Sequence, residues 1–524
     1  MITGKSIAKG ALIVMAATLL SRVFGFIREM IIAKYFGLSG VTDAYLVAFT
    51  VPSAVAMAIS AAVSAGFIPV LNNYMVTEDR NNESEVTNTL LNFTFLTLLV
   101  VVSVSMIFAP LLVKLLAPGF HRDSVLLTIR LIRIMFPALI FISLMGLSSG
   151  FLNTRQHFLF PALAPIITSL FVIGSAVVLG PSMGIKGLAI GTMVGSAGQF
   201  LIQIPVMYKK GFRYKPVLTL SHPGVIRSLK LMTPVLIASM APPLLLLIER
   251  GLASKLNTGS ISALNYAFRL MQLPQGLFVM AVSVPLFPAL SSFAAQRDFE
   301  RLKQMMVKGL GILAIIMIPA SAGLVALNVP IVRLLFERGA FEAKDTLPTA
   351  YALTFYALAL LPLAFRDIFR RGFYAVQDTL TPVLITVLSF GINVILDLLL
   401  VKIMGIGGLA FGAAISVLIE VTVLYYIFNK KIDGLFDKQF ALMLVKLLIS
   451  SIIMGVSAFV CSDIIGAKLD LTANISRVIQ VGTSIVFGLT TYLLTVAFLK
   501  VELAAEAWNI IKRQYRKLSN RHVN

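Results

Sequence analysis

Charge is what this sequence has least of. Only 13% of its 524 residues are charged while 58% are hydrophobic, and a water-soluble domain carries about 25% charged residues to cover its surface. The chain has one cysteine, Cys461, which excludes an intrachain disulfide and a cysteine metal cluster. Its four histidines, His121, His157, His222 and His522, fall at no metal-ligand spacing. No GxxxxGK[ST] loop is present to cradle nucleotide phosphates, and no catalytic constellation stands out. The chain is therefore expected not to be an enzyme and to need no cofactor. Any work it does must draw on the membrane potential, a proton or sodium gradient, or consumption of its product.

What is there instead is long apolar runs. Leu90 to Leu116, Leu159 to Leu179 and Ile475 to Leu499 are each long enough, at about 1.5 Å per residue, to cross about 30 Å of hydrocarbon. They are nearly continuous rather than alternating, which excludes a transmembrane barrel. The expected fold is an all-α polytopic membrane protein with about fourteen spans: 8–36, 44–72, 88–114, 125–152, 159–181, 184–207, 229–255, 261–293, 306–335, 347–372, 381–403, 405–428, 440–463 and 475–500. An even number puts both termini on one side. Lys5, Lys9, Lys209, Lys210, Arg213, Lys215, Lys430, Lys431, Lys512, Arg513, Arg516 and Lys517 collect on that side, so the positive-inside rule makes both ends cytoplasmic. The formal net charge of +21 is read as loops touching anionic lipid headgroups. Nucleic-acid binding is not expected, because no soluble domain is left to present a basic face.

The chain repeats itself. MGIKGLAIG at Met183 returns as MGIGGLAFG at Met404, and the YKK ending at Lys210 returns as NKK at Lys431. GFLNTRQHFLFPAL from Gly150 returns as GFYAVQDTLTPVL from Gly372. Two parallel six-span units are expected around a central cavity, over 1–215 and 216–435, followed by two additional spans to residue 501 and a basic tail over 502–524. Two such bundles facing each other are the architecture of an alternating-access transporter.

Ionisable residues inside the spans cost a few kcal/mol each on insertion scales and so mark function. The first span carries Ser21, Arg22, Arg28 and Glu29; the seventh carries Glu249 and Arg250 after Pro242 and Pro243; the eighth carries Arg269. At 3.6 residues per turn, Ser21, Gly25 and Arg28 share one stripe, with Arg22 and Glu29 on the next. Gly25 offers a bend or a close approach. Four arginines, Arg22, Arg28, Arg250 and Arg269, could converge on one cavity, and the guanidinium fork is well suited to a diphosphate. The blander reading is that Arg28 and Arg250, late in their spans, snorkel to the interface. Asn393 and Asp397 lie at i and i+4 on one face and offer oxygen ligands to a sodium ion, or else make an interhelical hydrogen bond. Arg366, Asp367, Arg370 and Arg371 end the tenth span, where Arg370 and Arg371 read as headgroup anchors.

SRVFGFIRE at Ser21 to Glu29, TDAYLVAF at Thr42 to Phe49, FPALIFISL at Phe136 to Leu144 and YAFRLMQLPQGLF at Tyr266 to Phe278 resemble the MurJ/MviN family of lipid II flippases. That family lies within the multidrug/oligosaccharidyl-lipid/polysaccharide exporter superfamily. The resemblance covers roughly residues 8 to 430. It implies fourteen helices in two lobes and outward flipping of an undecaprenyl-diphosphate-linked peptidoglycan precursor across the bacterial inner membrane. It also implies substrate-site roles for Ser21, Arg22, Arg28, Glu29, Asp43 and Arg269, a groove by the last two helices for the polyprenyl chain, and a monomer among membrane lipids. The sequence departs from the family in its second span, where many members carry an arginine pair and an acid but Pro52 to Pro69 holds no charge. A flippase for another polyprenyl-linked glycan is therefore the second expectation. A multidrug or cation antiporter is the third, disfavoured because arginines repel cationic cargo.

Overall fold

In a computed structural model that describes residues 4–432, 434–501 and 503, the long apolar runs are helices. Thirteen of them are long and apolar enough to cross a membrane: α2 (Gly40–Val76), α3 (Arg80–Ile107), α4 (Arg122–Thr154), α5 (Leu159–Val178), α6 (Ile185–Lys209), α7 (Pro223–Ala253), α8 (Ser260–Ala295), α9 (Phe299–Ala326), α10 (Ala343–Ala375), α11 (Leu380–Met404), α12 (Ile406–Lys431), α13 (Lys438–Lys468) and α14 (Asn474–Phe498). Ahead of them stands α1 (Gly4–Phe36), 33 residues long. Glu83 belongs to the first turn of α3, capped by the side chain of Asp79, which accepts from the Asn82 amide. The tail bearing Lys512, Arg513, Arg516 and Lys517 lies outside the described residues, as do the side chains of Lys5 and Lys9.

The duplication is written into the backbone as well as the sequence. Glu78 and Arg297, and likewise Gln156 and Gln377, take positive φ between 55° and 62° just past helix ends in equivalent loops of the two repeats, the left-handed turn that closes a helix C-terminus. Asp79 and Asp298 cap the next helices in the same way. The loops also differ. Asp378, after α10, is bonded by Lys431 and by the amide and hydroxyl of Thr381. Burial works to raise its pKa, but those hydrogen bonds prevail and hold the carboxyl at about 2. The equivalent residue of the first repeat is His157, pushed below its usual value by burial and by the charge of Lys210.

The residues cluster into two compact units, Met1–Ser262 with Arg338–Glu342, and Ala263–Glu337 with Ala343–Asn524. The first unit extends past the sequence repeat because α7, the first helix of the second repeat, packs on α2. The reason is a turn of π-helix at Val63–Phe67 in α2, where a Cβ on Gly66 would lie 2.4 Å from Met232 and 2.8 Å from the Ser228 carbonyl. On the other side of the same turn, Gly150 of α4 meets Val63 and Phe67. The extended link from α6 to α7 is tied to α3 by side-chain amides: Asn88 bonds the Arg213 carbonyl and the Lys215 amide, and Asn92 bonds the Lys215 and Val217 carbonyls. Those bonds meet the needs of a backbone that has no helix of its own. Arg133 does similar work at the break after α3. Pro110 has no N–H for the Met106 carbonyl four residues earlier, and the Arg133 Nε donates to it at 3.4 Å.

In the second unit α11 and α12 form a tight hairpin around Gly405, at φ 56°. Inside that turn a Cβ on Gly408 would stand 2.3 Å from the Leu400 carbonyl oxygen, a contact with backbone that no side-chain movement relieves. Gly408→Ala should therefore cost about 1–3 kcal/mol through forced displacement, whereas Gly391→Ala, with nothing within 4 Å, should be neutral or slightly stabilising. Melting midpoints of the two purified variants check this, and equal midpoints would mean the hairpin is not closed at Gly408.

Candidate functional site

Along α1 the exposed side chains Leu20, Val23, Ile27 and Lys34 form one stripe, apolar but for the terminal lysine. At 100° per residue the side of the helix opposite that stripe carries Ser21, Arg22, Gly25, Arg28 and Glu29. This is the division a bilayer enforces, with hydrocarbon meeting Leu and Ile while the ionised groups turn away from it. Arg28 Nη2 donates to Glu29 Oε1 at 2.8 Å, and Glu29 is 3% exposed. The Arg28 side chain keeps 20% of its surface and lies on the helix face turned inward, so simple snorkelling does not describe it. Gly25 sits inside an unbroken helix with nothing within 4 Å of where a Cβ would be. It is not the close-approach point expected of it; it leaves open space between the two arginines.

Asp43, to which the resemblance gives a substrate-site role, has partners within the protein. It is 3% exposed in the first turn of α2, and both carboxylate oxygens are engaged. Oδ2 accepts from the Gly259 amide at 2.7 Å, and Oδ1 accepts from the Ser262 amide at 2.8 Å and from the Ser262 hydroxyl. A carboxylate on α2 thus caps the N-terminus of α8 across 216 residues of chain, where the helix dipole favours negative charge. Arg250, half-buried on α7, is close enough to act on the Asp43 charge. Next to Asp43 on the same helix, the Tyr45 hydroxyl lies 2.8 Å from that of Thr192 on α6.

Ser21, Arg22, Arg28, Glu29, Asp43 and Arg250 all belong to the first unit, and Arg269 belongs to the second. There the Arg269 Nη1 donates to Gln272 Oε1 at 3.2 Å, one turn on along α8, just ahead of a second π-helical turn at Gln275–Val279. Irregular turns of this kind recur at functional positions of helices.

The second unit holds three further features. Asn393 and Asp397 of α11 are buried and bonded to each other at 3.3 Å within that helix. Asp397 packs against Gly412 of α12, whose Cβ would stand 2.5 Å from Oδ1. Among the described residues no group of three or more His, Cys, Asp or Glu side chains is placed to hold a metal ion. An apolar cavity of about 780 Å³ lies between α9, α10, α12 and α13, lined by Val325, Leu361, Phe411, Leu448, Ile452 and Phe459 among others; α14 does not line it. Finally, Arg370 does not reach out as a headgroup anchor. Its Nη2 donates to Glu420 Oε1 at 3.0 Å and to the Thr386 hydroxyl at 2.8 Å. Glu420, 1% exposed in the middle of α12, was overlooked in the sequence although it stands alone as an acid in an apolar span.

Comparison with known proteins agrees with this architecture. The family model described as Lipid II flippase MurJ matches residues 32–478. The Lipid II flippase MurJ of Burkholderia cenocepacia is 32% identical over 432 residues, 81% of this chain and 84% of that protein. A solved structure titled as lipid II flippase MurJ in an inward closed conformation superposes with a TM-score of 0.79 at 27% identity, covering 94% of this chain and 100% of that one. An inward-facing multidrug resistance MATE transporter of the MOP superfamily shares the fold at a TM-score of 0.69 and 14% identity, over 81% of this chain and 98% of that one. With a family model spanning most of its length, the same helical fold and arginines on the inward face of its first helix, the chain belongs to the lipid II flippase MurJ family.

Proposed function

We propose that the protein is a multi-pass flippase of the bacterial inner membrane that carries lipid II from the cytoplasmic to the outer leaflet by alternating access, with both termini cytoplasmic. The observation that carries this reading is the inward face of α1, where Arg22 and Arg28 are kept in a hydrophobic span and Arg28 pairs with Glu29. A polyprenyl diphosphate is the cargo such a face suits: guanidinium forks for the diphosphate, and an apolar cavity of about 780 Å³ beside α13 for part of the isoprenoid chain. Arg22, Arg28 and Arg250 in the first unit and Arg269 in the second are the diphosphate partners in this reading. Asp43 serves them indirectly, by fixing the start of α8, the helix that carries Arg269. Membrane potential, a proton or sodium supplies the driving force, with Asn393 and Asp397 as the place where sodium would act; the protein works as a monomer among membrane lipids. A second reading, a flippase for a different polyprenyl-linked glycan, is favoured by one feature only, the uncharged α2, which leaves Met57 and Ser64 as its exposed side chains in mid-span.

Depletion in the native bacterium followed by analysis of lipid-linked precursors decides between these readings. Accumulation of lipid II supports the first, and normal lipid II with another glycan-lipid accumulating supports the second. In the same assay Arg269→Ala should abolish transport while leaving abundance and melting temperature near wild type. Asp43→Ala should lower the melting temperature, because two amides at the start of α8 lose their acceptor, at a cost of about 1–3 kcal/mol. A stable Asp43→Ala protein that no longer transports would instead place that carboxylate on the substrate.

Closure of the outer end can be tested by cross-linking. A Cβ on Gly40 would stand 3.3 Å from Thr258 Cγ2, which makes the two positions neighbours, whereas Gly259 has φ 92° and its Cβ would press on Leu38 backbone, so Thr258 is the better partner. With Cys461 replaced, a Gly40→Cys/Thr258→Cys protein should cross-link on oxidation and stop flipping, and reduction should restore it. Full transport by the cross-linked protein would exclude opening at this point of the cycle.

A further inference from the structure

The charged end of α10 is not needed to build the fold. Arg366, Asp367, Arg370 and Arg371 lie on one half-exposed face of that helix, while Phe365, Ile368, Phe369 and Phe373 on the other face are buried. The corresponding positions of the first repeat are Leu144, Met145, Ser148 and Ser149, and Gln199 stands where Glu420 does. α4 and α6 therefore form the equivalent packing with no charge at all. Five ionisable groups within spans, each costing a few kcal/mol to insert, call for a reason other than stability.

The geometry supplies one. Glu420, buried to 1%, is held on both oxygens: Oε2 by Arg366 Nη1 at 3.4 Å, and Oε1 by Arg370 Nη2 at 3.0 Å with the Thr386 hydroxyl 2.8 Å away. The Arg366 contact is long for a charge-assisted bond, which ordinarily closes to about 2.7–2.9 Å. Arg371 Nε is paired with Asp367 at 3.1 Å on the outer layer of the same face. Three guanidinium groups against two carboxylates leave one positive charge. The arginine side chains keep 22%, 28% and 26% of their surface, so the face is open to a ligand while Glu420, at 1%, is sealed behind it and Asp367, at 39%, stands at its outer edge. A carboxylate and a phosphate ester present the same paired oxygens to a guanidinium fork.

We propose that Arg366, Arg370 and Arg371 form a second oxyanion site, in the second unit, whose ligand is the phosphate of a phosphorylated lipid, and that Glu420 is its resident occupant, holding the arginines in place until that phosphate displaces it. The phosphate comes either from a polyprenyl diphosphate, in which case the site rests on the flippase reading above, or from a bilayer phospholipid, in which case it does not.

The test is equilibrium binding of radiolabelled pyrophosphate to the full-length protein in dodecyl maltoside. It is run in an Arg22→Ala/Arg28→Ala/Arg250→Ala/Arg269→Ala background, so that binding at the arginines assigned to the diphosphate above does not mask the result. Glu420→Gln should tighten binding about tenfold by releasing the two guanidinium groups, and adding Arg366→Gln and Arg370→Gln should remove the gain. If Glu420→Gln binds pyrophosphate no better than its parent, the resident-carboxylate proposal falls. Should that variant fail to fold, Arg366→Lys/Arg370→Lys, which keeps the charge but loses the fork, is compared with wild type; about tenfold weaker binding is expected, and unchanged binding overturns the site. Displacement by farnesyl diphosphate at lower concentration than by dioleoyl phosphatidic acid assigns the site to the polyprenyl lipid, and the reverse order assigns it to a phospholipid. Displacement by neither overturns it. Loss of transport on Arg269→Ala with this binding intact concerns only the flippase reading, so the two fail separately.

Discussion

A charge inside a bilayer has to be answered, and that requirement organises this protein more than any pairwise contact between helices. Hydrocarbon gives no reward for apolar contact between spans, so packing falls to small residues and side-chain hydrogen bonds. The ionised groups then become fixed points. Asp43 holds the start of α8 through two amides and a hydroxyl; Glu420 gathers α10, α11 and α12 through Arg366, Arg370 and Thr386; Glu337, at the end of the short helix Asn328–Phe336 that follows α9, is tied to α14 through Arg477. Each carboxylate is met by several donors, the condition under which a buried charge is tolerated.

The two repeats show how far a fold can be copied without copying its chemistry. Helix caps, left-handed turns and the glycine hairpins recur at equivalent positions, because they follow from backbone geometry that any sequence of this architecture must satisfy. The charges do not recur. Of the arginines named as candidate site residues, the first repeat puts Arg22 and Arg28 on α1, and the second puts Arg250 on α7, Arg269 on α8 and Arg366, Arg370 and Arg371 on α10. A duplicated scaffold with an unduplicated charge pattern is what transport of an asymmetric molecule calls for, since a diphosphate at one end of an isoprenoid chain needs cationic forks on only part of the path.

Most of the helical architecture was legible in the sequence, because a run of twenty apolar residues has few other solutions in a membrane, and the repeat could be read from motifs such as MGIKGLAIG and MGIGGLAFG. The inward face of α1 was legible too, since 3.6-residue periodicity alone separates Arg22 and Arg28 from Leu20 and Ile27. Partners far apart in the chain were not. Nothing near Asp43 announces Ser262, and an aspartate beginning a helix reads equally as a cap for its own helix or as a ligand. Arg370 near a helix end reads as a headgroup anchor until Glu420, fifty residues away, is brought beside it. The signal for Glu420 was present, an acid alone in an apolar span, but its meaning depended on packing. The division between compact units was hidden for a related reason: it follows the π-helical turn at Val63–Phe67, and no residue type in VSAGF encodes that turn.

The same electrostatics also bears on which cargo the fold serves. A MATE transporter shares this architecture at 14% identity, so architecture alone does not choose between a cationic drug and an anionic lipid. The choice rests on which sign is left accessible once internal pairs are formed. At the end of α10, Arg366 and Arg370 keep 22% and 28% of their side-chain surface while Glu420 of α12, which they hold, keeps 1%. On α1 the order is the same, with Glu29 at 4% of its side-chain surface and Arg28 at 20%. In both of these pairings the acid lies behind the arginine; Asp367, at 39% more exposed than its partner Arg371 at 26%, is the exception. A ligand arriving from the open side meets positive charge first, and lysine would not serve as well, because a flexible point charge lacks the planar fork that keeps a guanidinium bonded to its carboxylate while it presents further N–H groups outward. An arrangement that buries Glu29 and Glu420 behind accessible arginines disfavours cations and favours an oxyanion, and that choice is made by side-chain order along α1 and between α10 and α12.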